Sequence, residues 1–121
     1  MNKITPEKLT EKFFTDVLGW EKMELGTWWV TPQSETERGL PPLHESLDLQ
    51  EEWVVPELLK RYTDPMIGFR YGLKKDCEIT AWENMDKRVY FNAYDCKTIG
   101  LAHLEACLKA LGCYEKRSYS P

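Results

Sequence analysis

The sequence predicts an α+β protein, in which a meander-type antiparallel sheet of about four strands is covered by three helices as a helix/sheet sandwich. Residues 87–94 alternate apolar side chains with polar or aromatic ones, which is the two-residue period of a strand with two unlike faces. Leucines then recur at helical spacing through residues 101–111, and Gly112 ends the run. The length of 121 residues predicts a single domain spanning residues 1–121.

The first helix is predicted to begin after Thr5, whose hydroxyl can cap it, and to end at Gly19. Pro6 suits the first turn of a helix. Trp20 follows the end and should pack back on the last turn. The apolar side of this helix is a stripe of Leu9, Phe13 and Val17, widened by Phe14 and Leu18.

A strand is predicted over residues 27–31, closed by Pro32. Trp28 and Trp29 are adjacent, so they must point to opposite faces of that strand. We expect one indole to enter the core and the other to meet a ligand, a partner or solvent.

Residues 33–45 form a predicted loop rich in charge and proline, for which a functional segment and a solvated linker are equally good interpretations. Ser46 can cap a second helix, which Pro56 should kink or divide into two pieces. Residues 63–65 should end it.

Two more strands are predicted at residues 66–71 and 77–82, and short turns join them to the strand at 87–94. The last helix carries a second stripe, of alanines, beside its leucines. This stripe can crowd under the sheet or the first helix, or it can form a subunit contact. Its members are Ala102, Ala106 and Ala110.

The late strands offer a candidate nucleotide-binding face. Counting back across the turn places Thr80 and Trp82 on the same side of the sheet as Tyr90, Asn92 and Tyr94. Aromatic rings can stack on a purine, an amide can read its edge, and basic side chains can meet phosphate. The alternative is that these aromatic side chains pack beneath a helix. The candidate ligand-binding residues are Trp28, Trp82, Arg88, Tyr90, Asn92, Tyr94, Lys97, Lys116 and Arg117.

Composition argues against several function classes. A net charge of −4 disfavours a protein that coats long nucleic acids. No apolar run reaches the ~18 residues that a membrane span requires, and the N-terminus lacks the apolar segment of a secretory leader. A cytoplasmic location with reduced thiols is therefore expected.

Catalytic and metal signatures are sparse. No nucleophile elbow, Walker loop or dinucleotide glycine pattern occurs, so we expect no enzymatic activity and no cofactor. His103 and Cys107 are four residues apart on the last helix and could share a metal. Packing in the core is the better interpretation of this pair, and we expect no metal site, because no second spaced pair completes a tetrahedral set.

Three segments carry a family resemblance: residues 17–20 (Val-Leu-Gly-Trp), Trp53 after the proline-marked loop, and residues 102–111 after the final strand. In these segments and in the order of its predicted elements, the chain resembles the small phage proteins of the "phage ABA sandwich" family, and most of all their Thoeris anti-defence sponge branch.

The resemblance implies a homo-oligomeric phage protein that binds cyclic ADP-ribose isomers between subunits and does not cleave them. Some members hold cyclic oligonucleotides at a second site. The family's pocket uses an aromatic side chain and an amide from the late strands and basic residues near the C-terminus. These correspond here to Trp82 or Tyr90, to Asn92, and to Lys116 or Arg117. The alternative function is a small protein-binding inhibitor module that uses the Trp28 region and the acidic loop.

Overall fold

The computed structural model describes residues 5–24 and 28–113. Within these residues, no helix combines the length and the apolar character that crossing a membrane would require. In chain order the elements are helix α1 (Pro6–Lys12), a π-helical turn (Phe13–Val17), strands β1 (Glu21–Lys22), β2 (Trp28–Val30) and β3 (Thr36–Arg38), a 3-10 turn (Leu43–Glu45), helices α2 (Leu47–Trp53) and α3 (Val55–Arg61), strands β4 (Thr63–Arg70), β5 (Lys75–Asn84) and β6 (Lys87–Cys96), and helix α4 (Ile99–Ala110).

The α+β class is confirmed, as is the antiparallel meander of the three late strands, in the order β4-β5-β6. The prediction of one sheet of about four strands needs correction, since the described residues form two three-stranded sheets. Strand β2 pairs with β1 and β3 rather than with the meander. The sequence did not reveal β3 because its three exposed residues, 36–38, are all polar and carry no apolar alternation.

Helix α1 and the π-helical turn that continues it together have the predicted ends, although α1 itself stops at Lys12. The backbone N–H of Lys8 donates to the Thr5 hydroxyl at 3.3 Å, and Gly19 takes a φ of +76°, which suits glycine best. The π-helical turn, closed by the bond from the N–H of Leu18 to the carbonyl of Phe13, was not predicted. It lengthens the turn so that the neighbours Phe13 and Phe14 are both fully buried.

The second helix is divided, as predicted. The Ser46 hydroxyl accepts from the N–H of Leu49 at 3.2 Å, and the helix breaks at buried Val54, two residues before Pro56. Helix α3 ends at Arg61, and residues 63–65, predicted only to stop the helix, already belong to β4. A bulge accommodates the proline there, because an edge strand does not need every backbone N–H for pairing.

Helix α4 covers one face of the meander and completes the core. Its alanine stripe is buried within the chain, with Ala102 and Ala106 fully inaccessible. Helix α4 packs on strands β5 and β6 and also contacts α1, so crowding within the chain, under the sheet or the first helix, is the correct interpretation of this stripe. The subunit contact considered for these alanines is wrong, because no described alanine of the stripe is free to meet a second copy.

Candidate functional site

The face of the meander opposite α4, here called the outer face, is open to solvent. Alternation along β6 buries Phe91 and Ala93 on the helix side and leaves Tyr90 58% exposed on the other. The division of faces predicted for this strand is therefore confirmed. The outer face consists of Met66, Glu78, Thr80, Trp82, Arg88, Tyr90, Asn92 and Tyr94.

Strand pairing arranges these side chains in rows. Trp82 lies opposite Arg88, Thr80 opposite Tyr90, and Glu78 opposite Asn92. Side chains directly opposite one another on the same face are close enough to interact. The counting across the turn that placed Thr80 and Trp82 beside the tyrosines is thus confirmed.

Arg88 is held by the aromatic side chains around it. Its guanidinium carbon lies 5.9 Å from the ring centroid of Trp82 and 5.5 Å from that of Tyr90. Both distances are within the range of cation–π attraction. A cation–π contact does not use up the N–H donors of the guanidinium, so they can still serve an anionic ligand.

Asn92 lies toward the other end of the outer face, with Glu78 as its cross-strand neighbour. Its backbone carbonyl accepts from the Lys109 ammonium at 2.7 Å, so α4 holds the edge strand in place at this residue. The half-buried amide side chain is therefore carried on a restrained backbone. The outer face has a cationic end at Arg88 and an amide and carboxylate end at Asn92 and Glu78.

The remaining candidate ligand-binding residues lie elsewhere. Trp28 is 42% exposed but belongs to the separate small sheet, opposite Arg38, while Trp29 is buried. The prediction that the two indoles divide between core and surface is confirmed. Lys97 is exposed in the connection between β6 and α4, and Lys116 and Arg117 lie outside the described residues.

Two clefts indent other parts of the described surface, and none of the candidate ligand-binding residues lines either one. The first, here called the indole cleft, has a volume of about 410 Å³. It is lined by Leu18, Trp20, Thr31, Pro32, Gln33, Glu35, Glu37, Gly39, Pro41 and Trp53. Sequence reasoning missed it because its walls come from three distant segments. The only local signal was the alternation of Glu35 and Glu37 within the predicted loop.

The second cleft, of about 470 Å³, contains His44 and Glu45. The Nε2 atom of His44 lies 3.4 Å from the carboxylate of Glu45, and its Nδ1 lies 2.9 Å from the hydroxyl of Thr10. Hydroxyl, imidazole and carboxylate are the parts of a nucleophilic triad. Thr10, however, is only 3% exposed, does not line the cleft, and also accepts the backbone N–H of His44. This hydroxyl therefore ties the 3-10 turn to α1.

His103 belongs to a buried polar network. Gln50 donates its amide hydrogens to the carbonyls of Leu43 at 2.7 Å and Gly100 at 2.8 Å, so its oxygen accepts from Nδ1 of His103. Cys107 Sγ lies 3.6 Å from the other ring nitrogen. Burial lowers the pKa of His103 to about 4, so the ring is neutral at pH 7. Within residues 5–24 and 28–113, no group of three or more metal-ligating side chains comes together.

Three of the described thiols, those of Cys77, Cys107 and Cys113, are not activated as nucleophiles. Burial raises the pKa of Cys77 to about 12 and that of Cys113 to about 11, and it raises the pKa of Cys107 well above its usual value. Thiolates, rather than thiols, attack electrophiles. These three cysteines are therefore packing residues.

Comparison of the chain with family models, with curated proteins and with solved structures finds no match.

Proposed function

We propose that this protein is a phage or prophage anti-defence sponge, which sequesters a cyclic ADP-ribose-type immune signal in the cytoplasm of the bacterial host without cleaving it. The observation that supports this proposal is the exposed row of aromatic side chains on the outer face, together with Arg88 and Asn92. The name of the ligand comes from the family resemblance, and its chemistry agrees with that of the face.

Each part of such a ligand has a counterpart on the outer face. Adenine can stack on Tyr90 or Trp82, an interaction worth ~1–3 kcal/mol per base. The amide of Asn92 can donate to and accept from the edge of the base. The N–H donors of Arg88 suit a pyrophosphate oxygen, and its cation–π contacts with two rings reduce the entropy lost on binding.

Sequestration requires tight binding, and this links the proposal to self-association. Nanomolar affinity corresponds to ~12 kcal/mol, which one stacked base and a few ionic contacts on an open surface do not supply. A second copy that covers the outer face would close the pocket and exclude water from those contacts. We therefore propose a dimer or larger homo-oligomer as the binding form.

Thermal melting with each cyclic ADP-ribose isomer tests the proposal. A ligand present at 100 times its Kd stabilises the folded state by about 2.7 kcal/mol, which raises the melting temperature by roughly 10 °C. Heating the mixture and recovering the ligand by mass spectrometry then distinguishes a sponge from an enzyme, since a sponge returns it intact.

Two variants assign the site. Tyr90→Ala should weaken binding about tenfold or more because it removes a stacking ring, and Asn92→Ala should weaken it with little change in stability. Tyr71→Ala is the matched control, since Tyr71 is 72% exposed in the β4–β5 turn and lies outside the outer face. Equal loss of affinity in Tyr71→Ala and Tyr90→Ala, or the absence of any melting shift with every isomer, would contradict the proposal.

A further inference from the structure

The indole cleft has the chemistry of a receptor for a cationic side chain. We infer that it binds an arginine side chain presented by a partner protein. This inference concerns a different surface from the outer face and does not depend on the proposed function.

The floor of the cleft is aromatic and rigid. Trp20 and Trp53 have ring centroids 6.0 Å apart and planes at 88°. Both rings also pack on Phe14, at 4.7 Å and 5.3 Å, so their positions are fixed from beneath. Trp53 is half-buried and Trp20 only 9% exposed, so Trp53 supplies most of the π surface that a cation can reach, and Trp20 and Phe14 hold it in place without the cost of ordering it on binding.

The side chains that line the cleft carry negative charge and no positive charge. Lys22, in the cross-strand row that also holds Trp29 and Glu37, does not line the cleft, and its ammonium lies 5.9 Å from the centroid of the Trp29 ring. Glu35 and Glu37 are the only ionisable residues among those lining the cleft, and both are exposed. Across residues 5–24 and 28–113, neither carboxylate takes part in an ion pair. Two carboxylates beside an aromatic floor favour a cationic occupant over a neutral or anionic one.

Both carboxylates are carried on ordered backbone. The carbonyl of Glu35 accepts the N–H of Thr31 at 2.8 Å, and its own N–H donates to the Thr31 hydroxyl at 3.2 Å. Glu37 lies in β3, paired with Trp29 of β2. The β2–β3 hairpin therefore positions the two charges before any ligand arrives.

Arginine fits this arrangement better than lysine does. A planar guanidinium can stack on an indole while its edge donates to carboxylates, whereas an ammonium acts as a point charge. A volume of about 410 Å³ is within the range of small-ligand pockets and accommodates one long side chain. The cleft lies at the surface, and Pro32 and Glu35 of its lining are exposed, so an arginine side chain of a partner protein can reach it.

An NMR titration of the full chain with the peptide acetyl-Gly-Arg-Gly-amide tests the inference. The indole N–H signals of Trp20 and Trp53 should shift, while those of Trp28 and Trp82 stay in place as internal controls. The matched ligand is the same peptide with citrulline, which keeps the shape of arginine without its charge. Citrulline should bind about tenfold more weakly, and equal affinity for the two peptides would overturn the inference.

Charge-removing variants test the rim. Glu35→Gln with Glu37→Gln should weaken the arginine peptide about tenfold, because both carboxylates are lost while the side-chain volumes are kept. The control is Glu51→Gln with Glu52→Gln, which removes two exposed charges of α2 that do not line the cleft. Equal weakening in both double variants would mean that the peptide responds only to net charge, and the inference would fail.

The chain's own basic residues are the competing occupant. If Lys116→Ala with Arg117→Ala raises the affinity for the arginine peptide about tenfold, the cleft serves the C-terminal segment of this chain and the partner is excluded. Unchanged affinity in that variant supports a partner protein.

Discussion

Acid should weaken the fold through His103, and the amount can be worked out from its burial. The ring is 5% exposed, and burial lowers its pKa from 6.5 to about 4. The unfolded chain therefore binds a proton between these two values, and the folded chain does not. The contribution of the buried, neutral His103 to the free energy of unfolding is therefore complete above pH 6.5 and is lost progressively as the pH falls toward 4.

The size of the effect follows from the two pKa values. At about pH 4.5 an unfolded histidine is almost completely protonated, whereas a ring with a pKa of about 4 is about one quarter protonated. The difference lowers the free energy of unfolding by about 2.5 kcal/mol relative to about pH 7.5. The groups that face the ring are Gln50, Cys107 and the ring of Phe69, none of which is charged at these pH values.

Urea unfolding followed by tryptophan fluorescence measures this loss. His103→Gln removes the titrating ring and keeps an amide donor for the oxygen of Gln50. Every other ionisable group is the same in both proteins, so its contribution cancels in the comparison. Native protein should lose about 2.5 kcal/mol more than the variant between the two pH values, a midpoint difference of about 1–2 M urea. Parallel losses in the two proteins would refute the assignment of this acid sensitivity to His103.

Three further results are expected from the packing. Gln50→Ala should destabilise the protein by about 3 kcal/mol, because two carbonyls and His103 lose their partner in the core; a loss below about 1 kcal/mol in urea unfolding would contradict this. Ala106→Leu should cost about 2 kcal/mol by the same assay, since the alanine is fully buried and a larger side chain must displace its neighbours in the core, and a neutral effect would show that α4 can move away. In native protein, Cys77 and Cys107 should remain unalkylated by iodoacetamide in a mass-spectrometric assay, because burial raises the pKa of both thiols, whereas unfolding in urea should expose both; modification of either in the native state would contradict the burial.

Period-two alternation and helix signals in the sequence were enough to predict the meander and its helices. Strand β6 shows why, since Val89, Phe91 and Ala93 on its inward side are apolar, whereas Arg88, Tyr90 and Asn92 on its outward side are polar or aromatic. The sequence also predicted the helix caps at Thr5 and Ser46 and the division of the second helix near Pro56, because these features depend on local chemistry alone.

Features that depend on distant segments could not be predicted. Strand β3 exists because β2 pairs with it, not because residues 36–38 favour a strand. The indole cleft needs Trp20 and Trp53 to meet across 33 positions of sequence, and Gln50 joins His103 only after α2 packs on α4. For the outer face, the sequence predicted the residues and their common side, whereas the cation–π contacts of Arg88 with two rings could be seen only in the structure.

The alternation of inward and outward side chains along β5 and β6 has an evolutionary consequence. Side chains that anchor α4 and side chains that meet the outside occupy alternating positions, so a change at Tyr90 or Thr80 leaves Phe91 and Ile79 untouched. Selection can therefore revise the exterior of this hairpin one residue at a time, and a lineage can follow a changing target without rebuilding its interior.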